Sequence, residues 1–237
     1  MYKETHARTI VKTISWRILA TLTTVSLVYI FIGDVSIALS VGGIEIFLKM
    51  LVYFIHERIW DKIKFGKKEI QPAVIWLTGL AKSGKKEIAN EIVALLKKRG
   101  YKVEFLDGHS IRNLIPEIGY SREEVNIHIK RVGFLAKKLE EQGVFVVASF
   151  LSPYRESREF VRKLCDNYYE IYVNTPIEIC KKRDDTGIYE RALNGKVKNL
   201  PGVDVEYEPP QNSILKINIA ETSPKEAAKL IVNKTVS

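Results

Sequence analysis

The sequence predicts an α/β fold, a parallel sheet with helices on both faces, preceded by an α-helical transmembrane hairpin. Three observations lead there. Two long apolar runs lie before residue 56, whereas most charges lie after it. Beyond Pro72, short apolar segments alternate with amphipathic ones. The turn after the first of those segments is rich in glycine and lysine. Alternating strands and helices give a parallel sheet covered on both sides, and such sheets bind ligands at the carboxyl ends of their strands.

A chain of 237 residues accommodates one full domain and a smaller appendage. The expected division is a hairpin domain at 1–66, a basic linker at 67–71 and an α/β domain at 72–237. The net charge of +9 is shared between both parts, +4 through Ile70 and +5 beyond it. That balance suits phosphate-rich ligands or an anionic membrane surface. No long run of lysine and arginine is interleaved with aromatics, so nucleic acid is not an expected partner. Cys165 and Cys180 follow no metal or redox spacing and read as reduced, buried thiols.

Residues 18–33 carry no charge, and residues 35–55 carry only Glu45 and Lys49. A spanning helix needs about 20 mostly apolar residues, with a lower limit near 17. The second run meets that limit, and the first does if residues 14–17 begin it. Gly33-Asp34 makes the turn. A secretory signal would need a cleavage site and then a soluble chain; here a second apolar run follows directly. The competing reading is a helical pair buried in a soluble fold. Lys3, Arg8, Lys12 and Arg17 precede the first run, and Arg58, Lys62, Lys64, Lys67 and Lys68 follow the second. The positive-inside rule then keeps both ends cytoplasmic, with Trp16 and Trp60 as interfacial anchors. Glu45 and Lys49 share a helix face, as a clasp between the helices or as an oligomer contact or conduction path, with the clasp favoured.

In the second domain the expected strands are 73–78, 102–106, 144–150, 170–173 and 214–219. The expected helices are 85–99, 121–142, 155–164, 176–183 and 224–232. Ser121 and Glu124 form a capping box, and Pro176 opens a first turn. After the first strand comes Gly79-Leu80-Ala81-Lys82-Ser83-Gly84-Lys85-Lys86. The pattern G-x-x-x-x-G-K-[ST] is the P-loop, whose backbone N–H groups converge on phosphate oxygens. Lys85 adds a positive charge and the following helix its dipole. The domain therefore reads as P-loop and nucleotide-kinase-like. Lys86 stands where a serine or threonine would ligate Mg²⁺. An ammonium about 4 Å from a divalent cation repels it by roughly 8 kcal/mol at an effective dielectric of 20. Lys86 must swing outward, or the metal must sit elsewhere or be absent, or the lysine itself neutralises phosphate.

Two resemblances follow. Ser15-Trp16-Arg17, Gly33-Asp34, Glu45, Lys49-Met50 and His56 to Trp60 resemble a small bacterial membrane domain of unknown function. It implies a two-helix membrane module and assigns no activity. Together with the basic flanks, the expected place is the inner membrane of a bacterium, both termini and the P-loop domain cytoplasmic, with the lipid bilayer as partner and a possible homo-oligomer.

Leu106-Asp107-Gly108, Arg112, Arg131-Val132-Gly133, Ser152 to Arg155, Arg158, Cys180 to Tyr189, Gly202 to Asp204 and Tyr207 to Pro209 together resemble the adenylyl-sulfate kinases. These transfer the ATP γ-phosphate to the 3′-hydroxyl of adenylyl sulfate. The resemblance implies ATP as the phosphoryl donor, possible Mg²⁺ whose usual ligand position is Lys86, and a small anionic substrate. It places Lys85 and Asp107 beside the transferring phosphate and Arg183 against the adenine. Arg112 and Arg155 bind substrate anions, Phe150, Leu151, Ser152, Pro153 and Ile188 line the substrate pocket, and residues 184–194 form a lid. This sequence departs from the family at Lys86, at His109 (an acidic residue there), at Val125 (arginine), at His128 (asparagine), at Thr186 (lysine) and at Leu200-Pro201 (Phe-Thr). A neutral His109 could accept a proton from an attacking hydroxyl. The alternative is a catalytically impaired nucleotide-binding, regulatory domain.

Overall fold

The structure, a computed structural model, describes residues 2–4, 6–30, 35–63, 65, 67–69, 71–114 and 119–236; side chains at 2–4, 6, 21, 25–26, 28–29, 35–43, 45–46 and 67–69 lie outside it. The chain divides into two units, Met1–Ile70 and Gln71–Ser237.

In the first unit, strand β1 (Tyr2–Glu4) is followed by helices α1 (His6–Ile30) and α2 (Val35–Lys62) and strand β2 (Lys67–Glu69). β2, expected to be linker, pairs antiparallel with β1, Lys3 opposite Lys68. α1 starts twelve residues before its apolar run because its basic residues have work at the end of α2. Arg8 is fully buried there. Its Nη1 donates to the carbonyl oxygens of Ile63 at 2.8 Å and Phe65 at 2.9 Å, and its Nη2 to that of Trp60. The last carbonyls of a helix have no partner within it, and a cation at that end also meets the negative pole of the dipole. Lys12 pairs with Glu57 at 2.7 Å. Trp60, expected as an interfacial anchor, is buried and donates from Nε1 to His56 Nε2 at 3.0 Å. Trp16 stands edge-on to Tyr53, centroids 4.9 Å apart. Among the described residues no helix is long and apolar enough to cross a membrane. The turn at Gly33-Asp34 and the Glu45 side chain, with its expected contact to Lys49, lie outside the described residues.

The second unit alternates strand and helix: β3 (Val74–Thr78), α3 (Lys85–Lys98), β4 (Val103–Asp107), α4 (Gly108–Leu114), α5 (Arg122–Glu141), β5 (Phe145–Ser149), α6 (Arg155–Leu164), β6 (Tyr168–Val173), α7 (Ile177–Lys182), α8 (Ile188–Leu193), β7 (Leu215–Ile217) and α9 (Pro224–Thr235). Five strands form one sheet in the order β4-β5-β3-β6-β7, every neighbouring pair parallel. β3 is central and all five of its residues are buried. Alternation along the strand sends Val74 and Trp76 into a cluster with Ile129, Val132 and Ala136 of α5 and Val161 of α6. Ile75 and Leu77 are equally buried on the other side, which α3 and α9 cover. Each such aliphatic side chain contributes about 1.5–3 kcal/mol.

Ser121 and Glu124 form the expected capping box of α5, and Ser223 with Glu226 another on α9. Pro176 is the N-cap of α7 rather than a residue of its first turn. Helices α4 and α8 were not expected. They are short, and their formation depends on what they pack against rather than on propensity. Both cysteines are free and buried.

Candidate active site

β3 ends at Thr78, and the chain turns through Gly79 (φ 151°), Lys82 (φ 58°) and Gly84 (φ 96°) into α3. Two of these positions require glycine. A Cβ on Gly79 would stand 2.4 Å from the Val173 carbonyl oxygen, and one on Gly84 2.7 Å from Ile219 Cδ1. Thr175 Oγ1 donates to the Ser83 carbonyl at 2.9 Å, fixing the loop from the β6 side. Lys85, the first residue of α3, curls back over the turn. Its buried Nζ donates to the carbonyl oxygens of Gly79 at 3.0 Å and Leu80 at 2.5 Å, and to Ser83 Oγ at 3.3 Å. Burial pulls the Lys85 ammonium down to about 8, against Cys180 and Glu87, which favour its charge. The first N–H groups of a helix have no partner inside it, so the loop, the helix start and the ammonium together form a site for anions.

β4 delivers Asp107 to the same end of the sheet. One carboxylate oxygen, Oδ2, accepts from Ser110 N at 3.2 Å, Ser110 Oγ at 2.9 Å and Lys86 Nζ at 3.2 Å. Burial alone would raise its pKa; the Ser110 and Lys86 hydrogen bonds outweigh that and hold the carboxyl below its usual range. His109 follows on α4 with Nε2 3.4 Å from Asn113 Nδ2. Arg112 lays its guanidinium over Tyr120, 4.3 Å from the ring centroid, and donates to the Gly119 carbonyl at 3.1 Å.

Beyond β5, residues 150–153 are held from below by a buried polar network. Trp76 Nε1 donates to Ser152 Oγ at 3.1 Å, which donates to Thr78 Oγ1 at 2.9 Å. Thr78 Oγ1 donates to the Leu151 carbonyl at 2.8 Å. Buried Arg158 donates to the Ser152 carbonyl at 2.5 Å and pairs with buried Glu170 at 2.8 Å. Phe150 stacks on Trp76, centroids 5.3 Å apart. His128 stands edge-on to Phe150 at 6.2 Å, and both of its ring nitrogens are buried with no hydrogen-bond partner. Burial, helped by Arg112 and Arg131, lowers His128 to about 4, so its imidazole is neutral at pH 7.

These pieces surround one cavity of about 900 Å³. All the site residues expected from sequence line it except Gly79, Leu80 and Arg155. Gly79 and Leu80 contribute backbone behind the loop. Arg155 is turned aside, its Nε donating to the Pro209 carbonyl at 3.1 Å and its N–H to Glu208 at 2.8 Å. Arg183 reaches the cavity while paired with Glu87 at 2.6 Å. Sequence reasoning missed how residues 183–189 grip the loop: Lys82 pairs with Asp185, and Tyr189 Oη donates to the Ala81 carbonyl at 2.9 Å. Those contacts join segments about a hundred residues apart and have no local signature.

Mg²⁺ does not fit at the usual place beside the loop. The side chain that would offer a hydroxyl is a cation, and Lys86 is directed onto Asp107, the nearest carboxylate on β4. Among the described residues no group of three or more His, Cys, Asp or Glu is placed to hold a metal ion.

Residues 71–218 match the family described as Adenylylsulphate kinase, and residues 10–61 match the one described as Predicted membrane protein (DUF2061). The chain is 40% identical over 161 residues to the probable adenylyl-sulfate kinase of Pyrococcus abyssi, covering 68% of this chain and 92% of that protein. It is also 40% identical over 161 residues to the adenylyl-sulfate kinase of Microcystis aeruginosa, covering 68% and 89%. Among solved structures, the Mycobacterium tuberculosis APS kinase in complex with AMPPNP and APS is similar. The TM-score is 0.66 at 27% identity, over 70% of this chain and 98% of that one.

Proposed function

Because the chain belongs to the adenylylsulphate kinase family, we propose that its second unit binds ATP through the loop around Lys85 and passes the γ-phosphoryl group to a hydroxyl of adenylyl sulfate or a related anionic nucleotide. One observation carries this reading. The buried Lys85 ammonium, held inside the turn before α3, opens onto a cavity that also contains Asp107 and Arg112.

Phosphoryl transfer asks a protein mainly for positioning and charge neutralisation. The loop amides and Lys85 hold the triphosphate, and Arg112 faces the anionic acceptor, for which a forked guanidinium is suited. The acceptor hydroxyl oxygen bonds to the γ-phosphorus as the bond to the β,γ-bridging oxygen breaks and ADP leaves. The hydroxyl proton passes to Asp107, ionised at neutral pH, or to His109 beside it on α4. Phe150 to Pro153, fixed by the Trp76–Ser152–Thr78 network, form the wall against which the acceptor base lies.

The first unit tethers this chemistry to a cytoplasmic membrane surface. The charge-free run at 18–33, the apolar run at 35–55, the basic flanks and the family description of residues 10–61 support that placement. Separation of the expressed chain into membrane and soluble fractions tests it; recovery only in the soluble fraction would refute it.

Incubating the chain with ATP and adenylyl sulfate should yield ADP and a phosphorylated acceptor, and Lys85→Ala should abolish both. A second reading, a nucleotide-binding regulatory domain without turnover, is favoured by Lys86 occupying the Asp107 carboxylate. Tight ATP binding with no acceptor-dependent ADP would select it.

A further inference from the structure

The side chain after Lys85 has a place of its own. In a P-loop that position supplies a hydroxyl to Mg²⁺, and here it is Lys86, in the first turn of α3. Lys86 is more than half exposed, yet its ammonium pairs with Asp107 Oδ2, 3.2 Å away, and both residues line the cavity. Asp107 is itself anchored by the backbone and hydroxyl of Ser110, so it acts as a fixed post that aims the ammonium. The cavity wall carries six basic side chains (Lys82, Lys85, Lys86, Arg112, Arg183, Arg191) against three acidic ones. That surplus suits a nucleotide with its full negative charge better than one already half neutralised by a divalent ion.

We propose that Lys86 is a tethered cation that takes the metal's place, so that this chain binds ATP as the metal-free anion. The inference rests on the nucleotide-binding part of the reading above and identifies the ionic form of the ligand. An ammonium has three N–H donors, so Lys86 can keep Asp107 and still donate to a phosphate oxygen. A divalent ion would need to displace the ammonium from Asp107 and would then have that lysine's charge beside it. The tethered charge costs no ion to recruit, and its strength does not follow the free Mg²⁺ concentration.

Calorimetric titration of the full chain with ATP, in excess EDTA and separately in excess Mg²⁺, tests this. The expected dissociation constant in EDTA is equal to or lower than that in Mg²⁺. Lys86→Ser is expected to weaken binding in EDTA about tenfold, the loss of one charge-assisted hydrogen bond, and to gain tighter binding when Mg²⁺ is added. Lys86→Arg, which keeps the charge, is expected to retain binding in EDTA and controls for folding. Wild-type affinity rising tenfold or more with Mg²⁺ would overturn the proposal, as would Lys86→Ser binding in EDTA as well as wild type. Absence of ATP binding in both conditions would instead sink the nucleotide-binding reading on which it stands.

Discussion

The two sides of the cavity are built by different means. On one side the anion site is made of backbone: Gly79 and Gly84 hold conformations that a Cβ would block, and the ammonium of Lys85 is itself fixed by loop carbonyls. On the other side the surface is made of side chains at strand and helix ends: Lys86 on Asp107, His109 on α4, and His128 with both ring nitrogens unpartnered against Phe150. The backbone side keeps the two glycines and the lysine of the P-loop pattern, and the change from that pattern falls on a side chain, Lys86 in place of a serine or threonine. A backbone site tolerates little change, because altering it means refolding a turn. A side-chain site can exchange a hydroxyl for an ammonium, or an amide for an imidazole, while the sheet beneath stays as it is.

That contrast can be broken or sharpened by measurement. The largest effect is expected on the backbone side. Gly79→Ala must push a methyl carbon against the Val173 carbonyl at a positive φ, so urea unfolding should show a loss of about 3 kcal/mol. A loss under about 0.5 kcal/mol would mean the turn is not constrained as described. Lys85→Ala comes next: ATP affinity by calorimetry should fall about a hundredfold, as expected for losing a buried cation with several hydrogen bonds.

On the side-chain side the signature is acid sensitivity. His128 stays neutral in the fold down to about 4 while an unfolded histidine titrates near 6.5. The unfolded state therefore binds the proton first. The stability is fully present above pH 6.5 and is lost as pH falls toward 4, by roughly 3 kcal/mol. In His128→Asn that slope should flatten in unfolding curves taken across the range. The smallest effect returns to the loop. Lys85 loses its proton through about pH 8, so ATP affinity should weaken about tenfold from pH 7 to pH 9. A flat affinity profile would place the ammonium's charge outside the binding event.

Much of the second unit was legible because its signals are local. The burial of β3 and β5 follows from uninterrupted apolar runs, α5 from Ser121 and its capping box, and the loop from glycine spacing. The illegible parts depend on distance. Nothing near Arg155 announces that Pro209 and Glu208 will draw it out of the cavity, and nothing near Arg8 announces that it will cap a helix ending more than fifty residues later. Hydropathy marked the apolar stretch of α1 but not its basic first turns, because their partners lie on α2. Lys86 was visible as a departure; only its direction, onto Asp107, needed the fold.

Hydrogen exchange of the backbone amides of the full chain, with and without ATP, probes the nest of N–H groups around Lys85 most directly. The strongest slowing is expected within residues 80–86, the turn entering α3 and that helix's first residues. Unchanged exchange there, with protection concentrated elsewhere on the unit, would contradict it.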